Sequence, residues 1–266
     1  MKFEFDIATA VIEESPNHFS ARLHDGWGVW DTVNGGYVAA VGARAMATRS
    51  AKAHPVSISA HFLRPGRVGP VAIDTDLIWA GRTMARVGAT MTQDDKPIAT
   101  LLGTFGPVRH IMTRDLIPVL MDLPPIEECV EPDRGGFENA SVAQRIETRM
   151  PREDAALFDG NPRGRPQINA HIRFSDERPI DPLALVFLAD ALPPPIFNLP
   201  DPPQWLPTVS LDVHVRQQPN PGWLRMRTSS PRENYDRVTE HVDIHDSSGR
   251  LVATASQLAL LDKSNR

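Results

Sequence analysis

Cysteine is almost absent from this 266-residue sequence, which contains Cys129 alone. A single cysteine cannot form an internal disulfide, and no cluster of metal-ligating residue types surrounds it in the sequence. Disulfides are usual in oxidising compartments and rare in the cytosol. The sequence therefore predicts a protein of a reducing compartment, with the cytoplasm as the expected location.

Long apolar stretches and long runs of one charge are also lacking. A membrane-spanning helix needs roughly 20 apolar residues, and Arg, Asp or His interrupts even the most apolar windows of this chain. Residues 1–6 carry acidic side chains where a signal peptide would carry basic ones. The 28 Lys and Arg against 33 Asp and Glu give a net charge of −5. We therefore expect no membrane span, no export signal and no nucleic-acid partner.

The motifs of several enzyme classes are missing as well. The sequence has no glycine-rich phosphate loop, no dinucleotide-binding fingerprint, no Gly-x-Ser-x-Gly nucleophile elbow and no metal-spaced set of His and Cys residues. We therefore predict a protein that uses no metal and no cofactor.

An internal repeat is the first positive feature of the sequence. Residues 55–62 (PVSISAHF) resemble residues 208–215 (TVSLDVHV), which places two histidines in register at an offset of 153 residues. Residues 97–100 (PIAT) resemble residues 251–254 (LVAT) at an offset of 154 residues. Two matches at nearly the same spacing indicate a duplicated unit.

Each half of the chain repeats a short strand, an apolar helix and several further strands. Hydrophobic periodicity predicts a helix over 36–47 in the first half, followed by strands at about 56–63, 70–79, 83–92 and 97–105. In the second half, Asp181 as N-cap and Pro182 at the first helical position predict a helix over 182–192. The strands that follow are predicted near 208–216, 222–229, 235–245 and 251–261. This order predicts an α+β fold with two sheets, each wrapped on a helix.

The region between the halves has few periodic apolar positions and is rich in turn-forming residues. It contains Pro118, Pro124, Pro125, Pro132, Gly135 and Gly136. We therefore predict an N-terminal domain over 1–107, a linker over 108–137 and a C-terminal domain over 138–266.

One acid interrupts the second helix. The segment 182–192 is apolar on every side except at Asp190, a pattern typical of a helix that is buried all round. A buried carboxylate is costly unless hydrogen-bond donors meet it, so Asp190 is a candidate functional residue. The alternative is that Asp190 lies exposed in the last helical turn and has no role.

Two strands of the second half carry further polar candidates. The alternation of residues 208–216 places Thr208 and Ser210 on a polar face, where their hydroxyls would contact a water molecule or a carbonyl oxygen. Gln257, on the last strand, shares a face with three alanines that leave room for a ligand. The repeat places Gly103 at the position equivalent to Gln257, so the first half lacks this amide. Solvent exposure is the alternative explanation for each polar face.

These residues resemble the acyl-CoA thioesterase II family and its thioesterase-like relatives, which are double hotdog proteins. The resemblance covers most of the chain and rests on residues 30–37 (WDTVNGGY), 61–65 (HFLRP), 188–191 (LADA) and 253–257 (ATASQ). It implies two tandem hotdog domains, each an antiparallel sheet wrapped around a central helix. It also implies a thioester hydrolase whose substrate is an acyl-CoA.

The resemblance further implies a role for three side chains in the second half. In the family, an Asp on the second helix, a hydroxyl on the next strand and a Gln on the last strand bind and activate the attacking water. The Asp and the Gln correspond to Asp190 and Gln257. The hydroxyl corresponds to Thr208, with Ser210 as the alternative, because a proline-rich insertion precedes this strand.

The turn at Gly35 and Gly36 is the expected source of N–H groups for the substrate carbonyl, since glycine permits close approach and helix starts carry spare donors. Trp27 and Trp30 precede this turn. Both are expected in the core, and lining an acyl pocket is the alternative.

Two other functions remain open at this point. The same fold without hydrolysis would give an acyl- or acyl-CoA-binding protein, and an enoyl-CoA hydratase would need a His paired with the helix acid. The repeated residues His61 and His214 lie on predicted strands and favour a structural role. Exposed strand edges and the family resemblance predict a homodimer or homotetramer.

Overall fold

A computed structural model describes residues 2–109, 121, 123–133, 139–203, 205–234 and 236–261. Its main element is an antiparallel sheet of 12 strands. Part of the predicted linker, including Pro118, Gly135 and Gly136, lies outside the described residues. Among those described, no helix is both long and apolar enough to cross a membrane.

The first half of the chain forms two helices and eight strands. Their bounds are α1 Glu4–Ala8, β1 Val11–Ser15, β2 His18–Leu23, β3 Gly28–Val29, β4 Thr32–Val33, α2 Gly35–Ser50, β5 His54–Phe62, β6 Gly69–Ala80, β7 Ala85–Gln93 and β8 Lys96–Gly106. Helix α2 begins at an asparagine cap, because the side-chain oxygen of Asn34 accepts a hydrogen bond from the Tyr37 N–H at 2.9 Å. The predicted helix and the four strands after it are confirmed within a few residues.

The second half has a matching set of elements. Their bounds are β9 Ile146–Arg149, α3 Arg152–Ala155, β10 Gln167–Phe174, α4 Pro182–Leu188, β11 Thr208–Val215, β12 Leu224–Asn234, β13 Arg237–His245 and β14 Leu251–Leu260, with short 3-10 helices at Ile126–Glu128, Ser141–Arg145 and Pro195–Asn198. Asp181 caps α4 as predicted, since its Oδ1 accepts a hydrogen bond from the Ala184 N–H at 2.8 Å.

The order of strands in the sheet reflects the internal repeat. The order is β1-β2-β6-β7-β8-β5-β11-β14-β13-β12-β10-β9, while β3 and β4 pair separately. The two halves of this order mirror each other about the β5–β11 contact, so β8 corresponds to β14. The repeated segments of the sequence therefore lie on equivalent strands, and the double hotdog fold is confirmed.

Both central helices are enclosed by the sheet and pack against each other. All seven residues of α4 are buried, as are most residues of α2. A helix of seven residues is not stable in isolation. Burial of a large apolar side chain contributes about 1.5–3 kcal/mol, so tertiary packing stabilises α4.

Helix α4 is shorter than the sequence predicts. It ends at Leu188, and the prediction of a helix to residue 192 is wrong. Pro193 disfavours the helical conformation at the residue before it. Before that residue, the N–H groups of Asp190 and Ala191 bond back three residues, at 3.1 and 3.2 Å, and tighten the end of the helix into a turn.

Candidate active site

Asp190 lies where the end of α4 meets the start of α2. Its Oδ2 accepts hydrogen bonds from the Gly36 N–H at 2.8 Å and from Asn34 Nδ2 at 3.0 Å. Asn34 Nδ2 also lies 2.9 Å from the main-chain oxygen of Asp190. The first turn of a helix carries unpaired N–H groups and the positive end of the helix dipole, so it stabilises a carboxylate.

The surroundings of Asp190 change its acidity. Burial raises the pKa of Asp190 to about 6, although hydrogen bonds from the Gly36 N–H and from the Gln257 and Asn34 side chains act to lower it. A carboxyl with a pKa near neutrality is suited to accept a proton during a reaction. The alternative of an exposed Asp190 without partners is excluded.

Thr208 and Gln257 are brought together from neighbouring strands. Gln257 Nε2 donates a hydrogen bond to Thr208 Oγ1 at 2.7 Å. Thr208 pairs with Ala259 of β14, whereas Ser210 pairs with Leu258, so β11 has one extra residue at this point. Such a β-bulge reverses the facing of the residues before it. Thr208 therefore lines the same cavity as Gln257 and Asp190.

The bulge separates the two candidate hydroxyls. Ser210 lies opposite the exposed His61 of β5 and next to the fully buried Leu211, which points to the interior. Unlike Thr208, Ser210 is outside the lining of the cavity. The predicted alternation, which placed Thr208 and Ser210 on one face, is wrong at its first residue. The geometry favours Thr208 as the hydroxyl of the site.

The equivalent position in the first half is closed by core side chains. A Cβ atom at Gly103 would lie 2.6 Å from a ring carbon of Phe105 and 2.9 Å from Met46 Cε. The space that Gln257 occupies in the second half is therefore filled by apolar groups in the first half.

Gly35 and Gly36 differ in their contacts. The Gly36 N–H is bonded to Asp190, so the expectation that both N–H groups face the substrate needs correction. Gly35 lines the cavity, and a Cβ atom there would lie 3.1 Å from both Asp190 Oδ2 and Phe62 Cζ. As the first residue of α2, Gly35 has an N–H with no intrahelical partner and no other partner among the described residues.

Asn34 is a site residue that the sequence analysis does not single out. Its Oδ1 caps α2 and its Nδ2 binds Asp190, so one amide fixes the helix start and the carboxylate together. The sequence does contain a signal for Asn34, because asparagine is a preferred N-cap residue and Asn34 stands directly before two glycines at the start of a predicted helix.

The cavity has a volume of about 670 Å³ and is mostly apolar around the polar site. Residues of the proline-rich segment 193–207 form much of one wall, and Trp205 of this segment packs against Trp30 with ring centroids 4.8 Å apart. Trp30 is 50% exposed, so the expected core position is wrong for Trp30, while Trp27 is in the core at 3% exposure. In the described part of the chain, no group of three or more His, Cys, Asp and Glu side chains could hold a metal ion.

This fold and site define a double hotdog protein with a mostly apolar cavity, lined by both halves of the chain, that contains the polar groups of Asp190, Thr208 and Gln257. A family model described as the acyl-CoA thioesterase N-terminal domain matches residues 23–106. A second, the acyl-CoA thioesterase C-terminal domain, matches residues 123–261. The chain belongs to the acyl-CoA thioesterase family.

Individual proteins are similar to this chain in sequence or in fold. A putative thioesterase II from Thermobifida fusca is 32% identical, with a TM-score of 0.88 and 98% of each chain covered. A hotdog-fold protein of unknown function from Alicyclobacillus acidocaldarius has a TM-score of 0.86 at 21% identity, over 98% of this chain and 99% of the other. The uncharacterised protein Rv0499 of Mycobacterium tuberculosis is 26% identical over 91% of this chain and 90% of its own length.

Proposed function

We propose that the protein is an acyl-CoA thioesterase that hydrolyses an acyl-CoA to a free fatty acid and CoA by direct attack of water. The observation that carries this proposal is the convergence of Asp190 with the hydrogen-bonded pair of Thr208 and Gln257 in one apolar cavity. Together they offer a base, a hydroxyl and an amide to one water molecule.

The chemistry follows from the contacts of each group. Oδ2 of Asp190 is held by Gly36 and Asn34, so Oδ1 is the oxygen we assign to accept the proton of the water. The water oxygen attacks the thioester carbon, the C–S bond breaks, and the proton passes to the sulfur of the leaving thiol. The Gly35 N–H is the proposed donor to the developing oxyanion. No covalent enzyme intermediate is needed.

The cavity supports an acyl chain as the buried part of the substrate. Ligand pockets typically enclose roughly 300–1,000 Å³, and this cavity lies within that range. Among the described residues that line the cavity, Asp190 and Arg64 are charged. Arg64 Nη1 donates to the main-chain oxygen of Pro97 at 2.7 Å. Away from the polar site most of the lining is apolar, which suits a hydrocarbon chain.

The decisive experiment measures thiol release from acyl-CoAs of increasing chain length, with wild type beside Gln257→Ala. We expect hydrolysis by wild type and a decrease of about 10²–10³-fold in kcat for Gln257→Ala, the range for loss of one polar group at a reacting centre. Binding of acyl-CoA without thiol release would instead support the acyl-binding function. The same panel gives the preferred chain length.

Thr208 and Ser210 provide a matched comparison on one strand. Thr208→Val removes the hydroxyl with little change of shape, and we expect kcat/KM to fall at least about tenfold because one hydrogen bond to the water is lost. Ser210→Ala should stay within about twofold of wild type, since Ser210 is outside the cavity lining. A larger loss for Ser210→Ala than for Thr208→Val would reverse the assignment.

Homodimer or homotetramer formation and a cytoplasmic location stay predictions.

A further inference from the structure

Strand β13 carries a buried acid beside the proposed site that the mechanism does not use. Glu240 is 6% exposed and lies directly opposite Gln257 in the register of β13 and β14. Side chains in this arrangement share one face of the sheet, with Cβ atoms about 4.5–5.5 Å apart. Glu240 Oε1 is buried and has no hydrogen-bond partner among the described residues.

The opposite side of Glu240 faces a β-bulge in β12. The register changes between the Ser229–His241 and Arg232–Thr239 pairs, so residues 230 and 231 both lie opposite Glu240. Ser230 is 5% exposed, and its Oγ also lacks a partner within the described part of the chain. A polar row therefore crosses three strands, from Ser230 through Glu240 to Gln257.

The neighbours of Glu240 determine its protonation. Gln257 from β14 and Ser230 from β12 are neutral, and Asp190, beyond the end of α4, is the charged group that acts on it. Burial and the negative charge of Asp190 raise the pKa of Glu240 to about 8. At pH 7 this side chain is therefore mainly a neutral carboxylic acid with an O–H to donate.

We propose that protonated Glu240 is a positioning residue, which donates a hydrogen bond to the side-chain oxygen of Gln257 and so directs the Gln257 amide nitrogen towards Thr208. The inference rests on the proposed function, because Gln257 belongs to the same water-binding site. Loss of the proton removes this donor and places a carboxylate next to the amide. The carboxylate attracts Gln257 Nε2 away from Thr208, and the site loses activity in alkaline solution.

The first test is the pH dependence of kcat and KM for wild type and Glu240→Gln. We expect wild-type kcat to fall about tenfold per pH unit above pH 8, as a single proton is lost, with little change in KM. Glu240→Gln keeps an N–H donor towards Gln257, so its kcat at pH 7 should stay within several-fold of wild type and show no alkaline decrease. Asp243→Asn, the same change of charge on the same strand, should keep the wild-type profile. An unchanged alkaline decrease in Glu240→Gln would overturn the proposal.

A second test uses the wild-type protein alone and does not depend on enzyme turnover. In wild type labelled with ¹⁵N in glutamine side chains and ¹³C in glutamate carboxyls, we expect one carboxyl signal and the Gln257 amide signal to titrate with a common midpoint near pH 8. A Gln257 signal that is constant between pH 6 and 9 would refute the contact. Absence of hydrolysis together with a common titration would refute only the proposed function.

The pH dependence of folding stability is a third test, because it reports the raised pKa of Glu240 directly. The pKa of Glu240 is raised from 4.5 to about 8 on folding, so the folded state binds the proton more tightly. Its favourable contribution is complete below pH 4.5 and is lost as the pH rises towards 8. The unfolding midpoint of wild type, measured relative to that of Glu240→Gln, should therefore fall as the pH rises from 4.5 to 8. A difference between the two proteins that is independent of pH would count against a raised pKa of Glu240.

Discussion

Replacement of Asp190 by Asn is expected to lower kcat/KM for acyl-CoA hydrolysis by about 10²–10⁴-fold, the contribution typical of a positioned general base. The carboxylate is the group in the cavity that combines a pKa near 6 with access to the proposed water site. Asparagine has nearly the same shape but cannot accept the proton. Thiol release under single-turnover conditions measures the effect on the chemical step.

The same substitution should leave folding nearly unchanged. The asparagine side chain would keep an oxygen that accepts from the Gly36 N–H, and burial already disfavours the ionised form of Asp190. Asp212→Asn, on the outer face of β11, is the matched control and should retain activity. Wild-type kcat/KM should rise with pH up to about pH 6, as Asp190 ionises, and then level off until the alkaline decrease that begins near pH 8. Wild-type turnover in Asp190→Asn would remove this residue from the mechanism.

Much of the architecture is visible in the sequence because it depends on local patterns. Apolar periodicity predicts α2, the Asp181 cap followed by Pro182 predicts the start of α4, and apolar residues at alternate positions predict the strands that follow them. Asp190 is recognisable because a lone acid in an apolar helix needs partners. Glu240 meets the same criterion, since it shares one face of β13 with the buried Val238, Val242 and Ile244. A lone acid on an apolar strand face is therefore a signal of equal value.

The remaining features depend on contacts between distant segments. No pattern in residues 208–216 reveals the bulge that turns Thr208 inward, because the bulge arises from the register with β14. The hydrogen bond from Gly36 to Asp190 joins groups 154 residues apart. The proline-rich segment 193–207 contributes a cavity wall, and its prolines carry no periodicity from which that position follows.

Substitution of Gly36 by Ala should impair both stability and catalysis, because the start of α2 lies directly against the end of α4. A Cβ atom at Gly36 would lie 2.6 Å from the main-chain oxygen of Phe187 and 2.8 Å from Asp190 Cβ. Neither atom is the free end of a flexible side chain, so the two helices would have to separate. Overpacking of this kind costs about 1–3 kcal/mol in the free energy of unfolding. A displacement of about 1 Å in a catalytic group costs about 10²-fold in rate.

Gly42→Ala in the same helix separates this contact from the general effect of alanine. A Cβ atom there would meet Leu101 Cδ2 at 2.9 Å and Met91 Sδ at 3.0 Å, both in side chains that can move. Alanine also favours the helix by about 0.5–1 kcal/mol relative to glycine, so Gly42→Ala should stay within about 1 kcal/mol of wild type and retain activity. Denaturant unfolding and thiol release, measured on both variants, distinguish the two positions. If both variants kept wild-type stability and activity, the α2–α4 contact would tolerate a methyl group and Gly36 would not hold Asp190 in place.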